Sequence, residues 1–126
     1  MRIVGGERRG LTLTAPKGVD TRPTAARTRE AVFNRLDHGL TRADGSPPYA
    51  DALVVDACCG AGAMALEALS RGAARAFLID SAPAALAAAR RNATAAGYAD
   101  RCRFAQADAA EIDLGETAGA IFVDPP

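Results

Sequence analysis

Short apolar runs alternate with helical patterns over the second two thirds of the chain. Four runs have the length and composition of strands: residues 52–57, 75–80, 103–108 and 120–126. Between the first three of them lie two helical segments, at residues 63–71 and 83–96, which Gly72 and Gly97 are placed to end. Strands that alternate with helices predict βαβ units and a mostly parallel sheet, so the pattern indicates an α/β fold.

The first third of the chain has a different pattern. Two strand-like runs flank the stretch "GERRG", which predicts a β-hairpin with Arg8 and Arg9 near its tip. After this hairpin, Thr24 is placed to cap a helix that continues to about Asp37. We therefore expect a hairpin and a helix to precede the parallel sheet.

The composition is that of one globular domain. The chain has 126 residues, of which 49% are hydrophobic and 24% are charged. Its apolar runs are too short to cross a bilayer and its first residues lack the core of a signal peptide, so we expect a cytoplasmic protein without membrane contact. The cysteines, Cys58, Cys59 and Cys102, fit neither a disulfide framework nor a zinc pattern. We expect free thiols and no metal site.

The net charge of zero hides an uneven distribution. Residues 1–42 contain nine Lys and Arg against four Asp and Glu, whereas residues 43–126 contain six against eleven. A basic segment suits a polyanionic partner such as nucleic acid, although an arginine-rich solvated surface explains the same counts. The interpretation divides the chain into a basic segment (1–42), suited to a polyanion, and a domain of different purpose (43–126).

Aspartates follow the predicted strands. Asp56, Asp80, Asp108 and Asp124 each lie at or just after the carboxyl end of a successive strand. In an open parallel sheet these ends share one edge, and ligands bind at that edge. A single aspartate at a strand end commonly caps a helix or turn, but four in register favour a ligand cleft.

A glycine-rich bend follows the first strand. Gly60 and Gly62 permit main-chain angles that side chains forbid, and they allow a ligand to approach the N-terminus of the next helix. The stretch "GAGAMA" also fits a dinucleotide fingerprint, with Asp80 lying 20 residues after Gly60, so an NAD-binding oxidoreductase domain is an alternative. Asp56 counts against that alternative, because an acid at this position is better suited to a ligand amine.

These features together resemble the S-adenosylmethionine-dependent methyltransferases. The shared pattern is D-x-x-x-G-x-G after the first strand, an acid ending the second, an acid after the third and D-P-P after the fourth. The segments "MRIVGGERRGLTLTAP", "TRPTAARTREAVFNRL" and "ALEALSRGA" more narrowly resemble the bacterial 16S ribosomal RNA guanine-N2 methyltransferases of the RsmD type. The resemblance spans essentially the whole chain.

The resemblance implies a Rossmann-like class I methyltransferase fold with three αβα layers, here truncated after the fourth strand. Residues 43–126 would be its S-adenosylmethionine-binding domain, and residues 1–42 would be its RNA-contacting hairpin and helix. It implies methyl transfer from S-adenosylmethionine to the exocyclic N2 of guanine 966 in 16S ribosomal RNA. The partner would be this RNA or a small-subunit assembly particle, and the full-length protein would be a monomer. A noncatalytic RNA-binding remnant is a further alternative, because the aromatic residue that follows the family's D-P-P motif has no counterpart here.

The resemblance also implies roles for individual residues. The residues matching the cofactor-binding motifs are Asp56, Cys58, Gly60, Gly62, Asp80, Ser81, Asp108 and Ala109. Asp56 and the main chain around Gly60 would hold the methionine portion of the cofactor. Asp80 would accept both ribose hydroxyls, since a carboxylate offers two oxygens and no proton, and Asp108 would lie near the adenine.

The D-P-P motif consists of Asp124, Pro125 and Pro126. The exocyclic amine of a base delocalises its lone pair into the ring, so acceptors that hold its hydrogens favour the pyramidal, nucleophilic form. The Asp124 carboxylate and the Pro125 carbonyl are such acceptors, and the two prolines restrict the main chain around them. These three residues are therefore the predicted catalytic group.

Arginines of the basic segment would contact the RNA. A target base must be splayed out of the folded RNA to reach the sheet edge, and arginines could hold the phosphates beside it. The candidates are Arg8, Arg9, Arg22 and Arg27.

Overall fold

The computed structural model describes residues 1–18 and 23–125, and of residues 23–25 it describes the main chain only. In chain order the helices and strands are α1 (Pro23–His38), β1 (Leu53–Ala57), α2 (Ala63–Ser70), β2 (Arg75–Asp80), α3 (Pro83–Ala96), β3 (Cys102–Gln106) and β4 (Ala120–Val123). Two short 3-10 helices, Ala99–Arg101 and Ala109–Glu111, precede and follow β3.

The four strands form one parallel sheet in the order β3-β2-β1-β4. β1 pairs on both sides, and all five of its residues are buried. In the register, Asp56 of β1 is the partner of Leu78 on β2 and of Phe122 on β4. The expected α/β fold with a parallel sheet is confirmed.

The main hydrophobic core lies between the sheet and helices α2 and α3. Alternate strand residues, including Val54, Leu78 and Phe122, contribute to it together with buried alanines of α3. α3 has the predicted bounds, because Pro83 suits the first turn of a helix and Gly97, at φ 77°, takes the left-handed conformation that ends it. Small side chains on α3 let this helix lie close to the sheet.

The opposite face of the sheet has a different cover. Leu53, Val55, Phe77 and Ile79 form a second cluster, against which apolar side chains of the irregular segment 107–118 pack. On β4 this face carries Ile121 and Val123, which are 57% and 66% exposed. The second face is therefore covered on β1 and β2 and open on β4.

The N-terminal hairpin turn is present, but it is not a pair of regular strands. Only Arg2 and Thr12 form an antiparallel β-bridge. Other main-chain groups of this segment form hydrogen bonds to α2. The Val4 and Gly5 N–H groups both donate to the Glu67 carboxylate, at 2.9 Å. The hairpin is thus held both by α2 and by its own main-chain hydrogen bonds, such as those from Ile3 to Leu11 at 3.0 Å and from Leu13 to Met1 at 2.7 Å.

Some predicted boundaries are wrong. α1 begins at Pro23, so Thr24 lies inside the helix and does not cap it. β3 ends at Gln106, which leaves Asp108 in the segment after the strand. β4 ends at Val123, since Pro125 has no N–H group to donate to a ladder.

The hydrophobic core continues across residue 42. Ile3, Leu13 and Phe33 belong to the same buried cluster as the α2 and α3 residues. Phe33 contacts the rings of Tyr49 and Phe122, with centroids 5.5 and 5.6 Å away. The division at residue 42 therefore stays a prediction about charge and function.

No helix in the described part of the chain is long and apolar enough to span a membrane.

Candidate functional site

The four predicted aspartates all lie at the carboxyl edge of the sheet. Asp56 is the fourth of the five residues of β1, and Asp80 is the last residue of β2. Asp108 comes two residues after β3, and Asp124 follows β4 directly. The strands thus bring together the carboxylates that the sequence placed at a ligand cleft.

Asp56 is the most buried of the four, with only 3% of its surface exposed. Its carboxylate accepts a hydrogen bond of 3.1 Å from the Ala65 N–H group, in the first turn of α2. Burial raises the pKa of Asp56 to about 7, and the negative charges of Asp124 and Asp80 act in the same direction. A cationic ligand group beside this side chain would favour the ionised form.

Asp80 connects the end of β2 to the glycine-rich loop. One carboxylate oxygen accepts from the Gly60 N–H group and the other from the Ala82 N–H group, both at 2.9 Å. Each oxygen has a further lone pair, so both can still accept from a ligand hydroxyl. Asp80 therefore holds the loop in place and retains capacity to bind a diol.

The two glycines of the loop have different roles. Gly60, at φ 54°, has open space where a Cβ would stand, with no atom within 4 Å. A Cβ on Gly62, at φ 83°, would lie 2.9 Å from Leu78 and 3.4 Å from the Cβ of Ala89. Gly60 thus leaves room beside the main chain for a ligand, whereas Gly62 serves the packing of the helices on the sheet, contrary to the expectation that both admit a ligand.

Free thiols occupy the start of the same loop, as expected. Cys58 is half-buried and has a positive φ of 60°, a conformation that is uncommon for a residue with a side chain. Cys59 is buried and donates to the Gly60 carbonyl at 3.5 Å, and burial raises the pKa of its thiol. Cys59 is a packing residue, while Cys58 lies at the predicted ligand position.

The remaining predicted site residues are more exposed. Asp108 accepts from the Ala110 N–H group at 3.0 Å and so caps the short 3-10 helix in which half-buried Ala109 lies. Ser81, Asp124 and Pro125 are exposed. Pro126 lies outside the described residues.

The hairpin arginines lie at the opposite, amino edge of the sheet. The Arg8 Nε donates to the Ala96 carbonyl at 2.7 Å, in the last turn of α3, which runs from the carboxyl edge back to the start of β3. Arg8 also lies 5.4 Å from the ring centroid of Tyr98. The sequence suggested that Arg8 and Arg9 hold phosphates beside a base at the carboxyl edge. The structure places Arg8 and the neighbouring exposed Arg9 too far from that edge for this role.

Arg27, unlike the hairpin arginines, lies toward the carboxyl edge of the sheet. Ion pairs join Arg29 to Glu67 and Asp37 to Arg71, so α1 runs alongside α2 in the same direction. The start of α1, with exposed Arg27, is thus toward the carboxyl edge, where α2 begins. Arg22 lies outside the described residues.

A family model described as conserved hypothetical protein 95 matches residues 1–126. The chain belongs to this family. It is 37% identical over 128 residues to Ribosomal RNA small subunit methyltransferase D of Escherichia coli K12, covering all of this chain and 60% of that relative. The chain thus spans about three fifths of the relative's length, and the predicted resemblance to the RsmD type is confirmed.

Solved structures of methyltransferases have the same fold as this member of the conserved hypothetical protein 95 family. Escherichia coli yhhF matches all of this chain and 64% of its own, with a TM-score of 0.81 and 36% identity. An RNA methyltransferase from Salinibacter ruber, in complex with S-adenosyl-L-homocysteine, matches 82% of this chain and 58% of its own, with a TM-score of 0.57 and 26% identity. The Rossmann-like class I methyltransferase fold is therefore confirmed.

Sequence reasoning missed a buried ionic network in this family member. Glu67 on α2 is 0% exposed and accepts from Val4, Gly5, Arg29 Nε and Arg71 Nε. Burial alone would raise the pKa of Glu67, but these hydrogen bonds outweigh it and hold the pKa below its usual value. The available signal was an acid in the middle of "AMALEALS", where the surrounding residues are apolar on all sides.

Proposed function

We propose that this chain forms the cofactor-binding and RNA-contacting part of an S-adenosylmethionine-dependent RNA methyltransferase. The substrate proposed is the exocyclic N2 of a guanine, position 966, in 16S ribosomal RNA. The observation that carries the proposal is the buried Asp56 at the carboxyl edge, close enough to Asp80 and Asp124 for their charges to raise its pKa, in a chain of this family.

The residues at the edge fit the chemistry of this cofactor. S-adenosylmethionine carries an amino group and a sulfonium, both cationic, and the acids of the cleft are suited to such groups. The unused lone pairs of Asp80 suit a ribose diol, and the open space beside Gly60 admits a ligand close to the main chain. When bound, the cofactor supplies an electrophilic methyl group on a sulfur that leaves as a neutral thioether.

The target amine would be held at the end of β4. Asp124 is exposed there and can accept one amine hydrogen through its carboxylate, while the Pro125 carbonyl accepts the other. These acceptors orient the nitrogen lone pair away from the base plane, toward the methyl group. The proline ring restricts the main chain that carries the carbonyl.

The RNA would approach over α1. Arg27 is exposed toward the carboxyl edge, and Arg22 stays a predicted phosphate contact on the same segment. The proposed partner is 16S ribosomal RNA or a small-subunit assembly particle, and the proposed location is the cytoplasm. We expect the full-length protein to be a monomer. The proposed reaction uses neither a metal nor a membrane.

Calorimetry tests the cofactor. We expect S-adenosylmethionine to bind at least about tenfold more tightly than NAD, a difference of roughly 1.4 kcal/mol or more. NAD binding without S-adenosylmethionine binding would replace the proposal with the oxidoreductase alternative.

Methyl incorporation tests the reaction. The chain is incubated with methyl-labelled S-adenosylmethionine and 16S ribosomal RNA transcribed in vitro, and the modified nucleotide is identified by mass spectrometry. Asp124→Asn is the matched variant, since it keeps the shape and removes the charge; we expect it to retain cofactor binding and lose most of the incorporation. We expect these 126 residues alone to incorporate little, so a protein that spans the relative's whole length is assayed beside them. Binding of both cofactor and RNA without incorporation by either protein would support the noncatalytic alternative.

A further inference from the structure

Charge is separated between the two edges of the sheet. The carboxyl edge carries the four aspartates described above. The amino edge carries a group of arginines, which we call the amino-edge surface: Arg8, Arg9, Arg75, Arg101 and Arg103. This distribution differs from the division along the chain, because three of the five arginines come from the overall acidic segment after residue 42.

A cavity of about 130 Å³ lies within the amino-edge surface. Leu53, Phe77 and Leu114 contribute apolar side chains to its lining. Arg75, Arg101 and Arg103 line it as well, at the starts of β2 and β3. The cavity is therefore a concave, cationic feature at the end of the sheet that faces away from the cofactor residues.

Aromatic rings hold these guanidinium groups in place. Arg103 lies 4.5 Å from the ring centroid of Phe77, and Arg101 lies 4.8 Å from that of Tyr98. Arg8 lies against the same Tyr98 ring, at 5.4 Å, so the surface continues from the cavity to the hairpin tip. A guanidinium that is stacked in this way loses little conformational entropy when it binds a phosphate. Arg101 donates to the Ala74 and Ala73 carbonyls, at 3.1 and 2.6 Å, and the Arg8 Nε donates to Ala96, so these two arginines offer a phosphate only their remaining N–H groups.

The acids in this surface neutralise only part of its charge. Glu7 pairs with Arg8 at 3.0 Å and Glu116 with Arg75 at 2.5 Å. Asp100 also lines the cavity. In the described parts of the chain, no ion pair joins Arg9 or Arg103 to an acid. Asp51 lies at the same edge, two residues before β1, and its N–H group donates to the Gly72 carbonyl at 2.9 Å. Five arginines against four acids leave the surface with one net positive charge.

We infer that the amino-edge surface is a second docking surface for the phosphodiester backbone of RNA. The inference rests on the proposed function, which makes RNA the polyanion. Carboxylates at the reactive edge repel phosphates and oppose the attraction that Arg27 exerts there, so a cationic surface elsewhere on the protein strengthens RNA binding. The edges are separated by the length of α3, whose 14 residues span about 21 Å. Two segments of one folded RNA thus contact the protein, one at each edge.

Paired substitutions in the full chain test this inference. Arg9→Ala/Arg103→Ala removes two charges from the surface, one of them stacked on an aromatic ring at 4.5 Å. Arg90→Ala/Arg91→Ala is the matched control, because both arginines are exposed on α3 and Arg90 stacks on Phe104 at the same 4.5 Å. The probe is 16S ribosomal RNA transcribed in vitro, with S-adenosylmethionine calorimetry as the measure of an intact cofactor site.

We expect the surface variant to bind the RNA roughly fivefold to twentyfold more weakly and to lower the slope of log affinity against log salt by about 1–2. The control variant should change RNA affinity less than about twofold, and both should bind S-adenosylmethionine as the unaltered chain does. Equal RNA affinities for the two variants would overturn the docking surface and leave the proposed function standing. An unaltered chain that binds S-adenosylmethionine but no RNA would overturn the docking surface together with the RNA contact of the proposed function, and one that binds neither would overturn the proposed function as a whole.

Discussion

Two aspartates at the same sheet edge differ because of their surroundings. Asp80 is half-buried and accepts two main-chain hydrogen bonds, whereas Asp56 is buried and accepts one. Hydrogen bonds favour the charged form of a carboxylate and burial opposes it. Asp80 is thus suited to neutral hydroxyl donors, and Asp56 to a cation.

Replacing Asp80 should weaken cofactor binding. For Asp80→Ala we expect a loss of about 1–3 kcal/mol in S-adenosylmethionine binding, because the ribose hydroxyls lose a charged acceptor and the Gly60 N–H group loses its partner. Asp80→Asn keeps one oxygen for the loop and should lose less. Calorimetry on both variants, with circular dichroism to verify folding, measures the effect; a folded Asp80→Ala protein with full affinity would refute the assignment.

Asp56 should make stability depend on pH. Its pKa is raised from about 3.9 in the unfolded chain to about 7 in the fold, so the folded state binds the proton more tightly. The resulting stabilisation is fully present below about pH 4 and is lost as the pH rises through 7, by roughly 1–4 kcal/mol at 1.36 kcal/mol for each pKa unit.

Urea denaturation between pH 4.5 and 8 measures this dependence. The Asp56→Asn variant keeps an acceptor for the Ala65 N–H group and should show a flatter profile. Parallel profiles for the two proteins would show that Asp56 does not titrate in this range. S-adenosylmethionine affinity should in turn rise through pH 7, because the cofactor requires the carboxylate.

The elements differ in how far local sequence determines them. α3 has its predicted bounds because its end signals, Pro83 and Gly97, act within one turn of the helix. The hairpin was only partly predictable, because Val4 and Gly5 bond to a residue more than 60 positions away in the sequence. Hydrophobic periodicity reports which residues are buried, but it does not report which buried polar groups will pair.

The Glu67 network should hold the N-terminal segment on α2. Removing one member of a buried ion pair typically costs 3–5 kcal/mol, and Glu67→Gln leaves Arg29 and Arg71 without their shared carboxylate. We expect about that loss in the free energy of unfolding, with faster hydrogen exchange at the Val4 and Gly5 amides. Glu30→Gln, an exposed substitution on α1, should change stability by less than about 0.5 kcal/mol. Unchanged exchange at these amides in a folded Glu67→Gln protein would show that the hairpin is held by other contacts.

At the scale of the whole molecule, the shared edge of the four aspartates was predictable and the distribution of charge around the sheet was not. Strand ends in a parallel sheet meet at one edge by topology, so the position of each aspartate followed from the strand pattern. The positions of Arg8 and Arg9 depended on where the hairpin packs, and this is fixed by Ser70 and Ala96 at the ends of two helices.

The open face of β4 should promote self-association. Ile121 and Val123 are exposed side by side on an edge strand of the sheet, an arrangement that favours edge-to-edge contact. Ile121→Thr/Val123→Thr keeps β-branched residues and should reduce the associated fraction in analytical ultracentrifugation at equal concentration. Leu40→Thr removes an equally exposed apolar group, at 56%, away from the sheet and should have little effect. A similar decrease in both proteins would indicate general hydrophobicity rather than this face.

The chain has a net charge of zero, and the separation of its charges between the two edges gives it a positive end and a negative end along the strands. The negative potential of a nucleic acid orients such a molecule during diffusional approach, so that its positive end makes the first contact. The first encounter then leaves the edge with the four aspartates facing away from the nearest phosphates. A compact folded RNA can reach both ends of the protein at once, whereas a short oligonucleotide that carries the same base cannot. Initial binding should therefore depend on the size and shape of the RNA, before the target base is recognised.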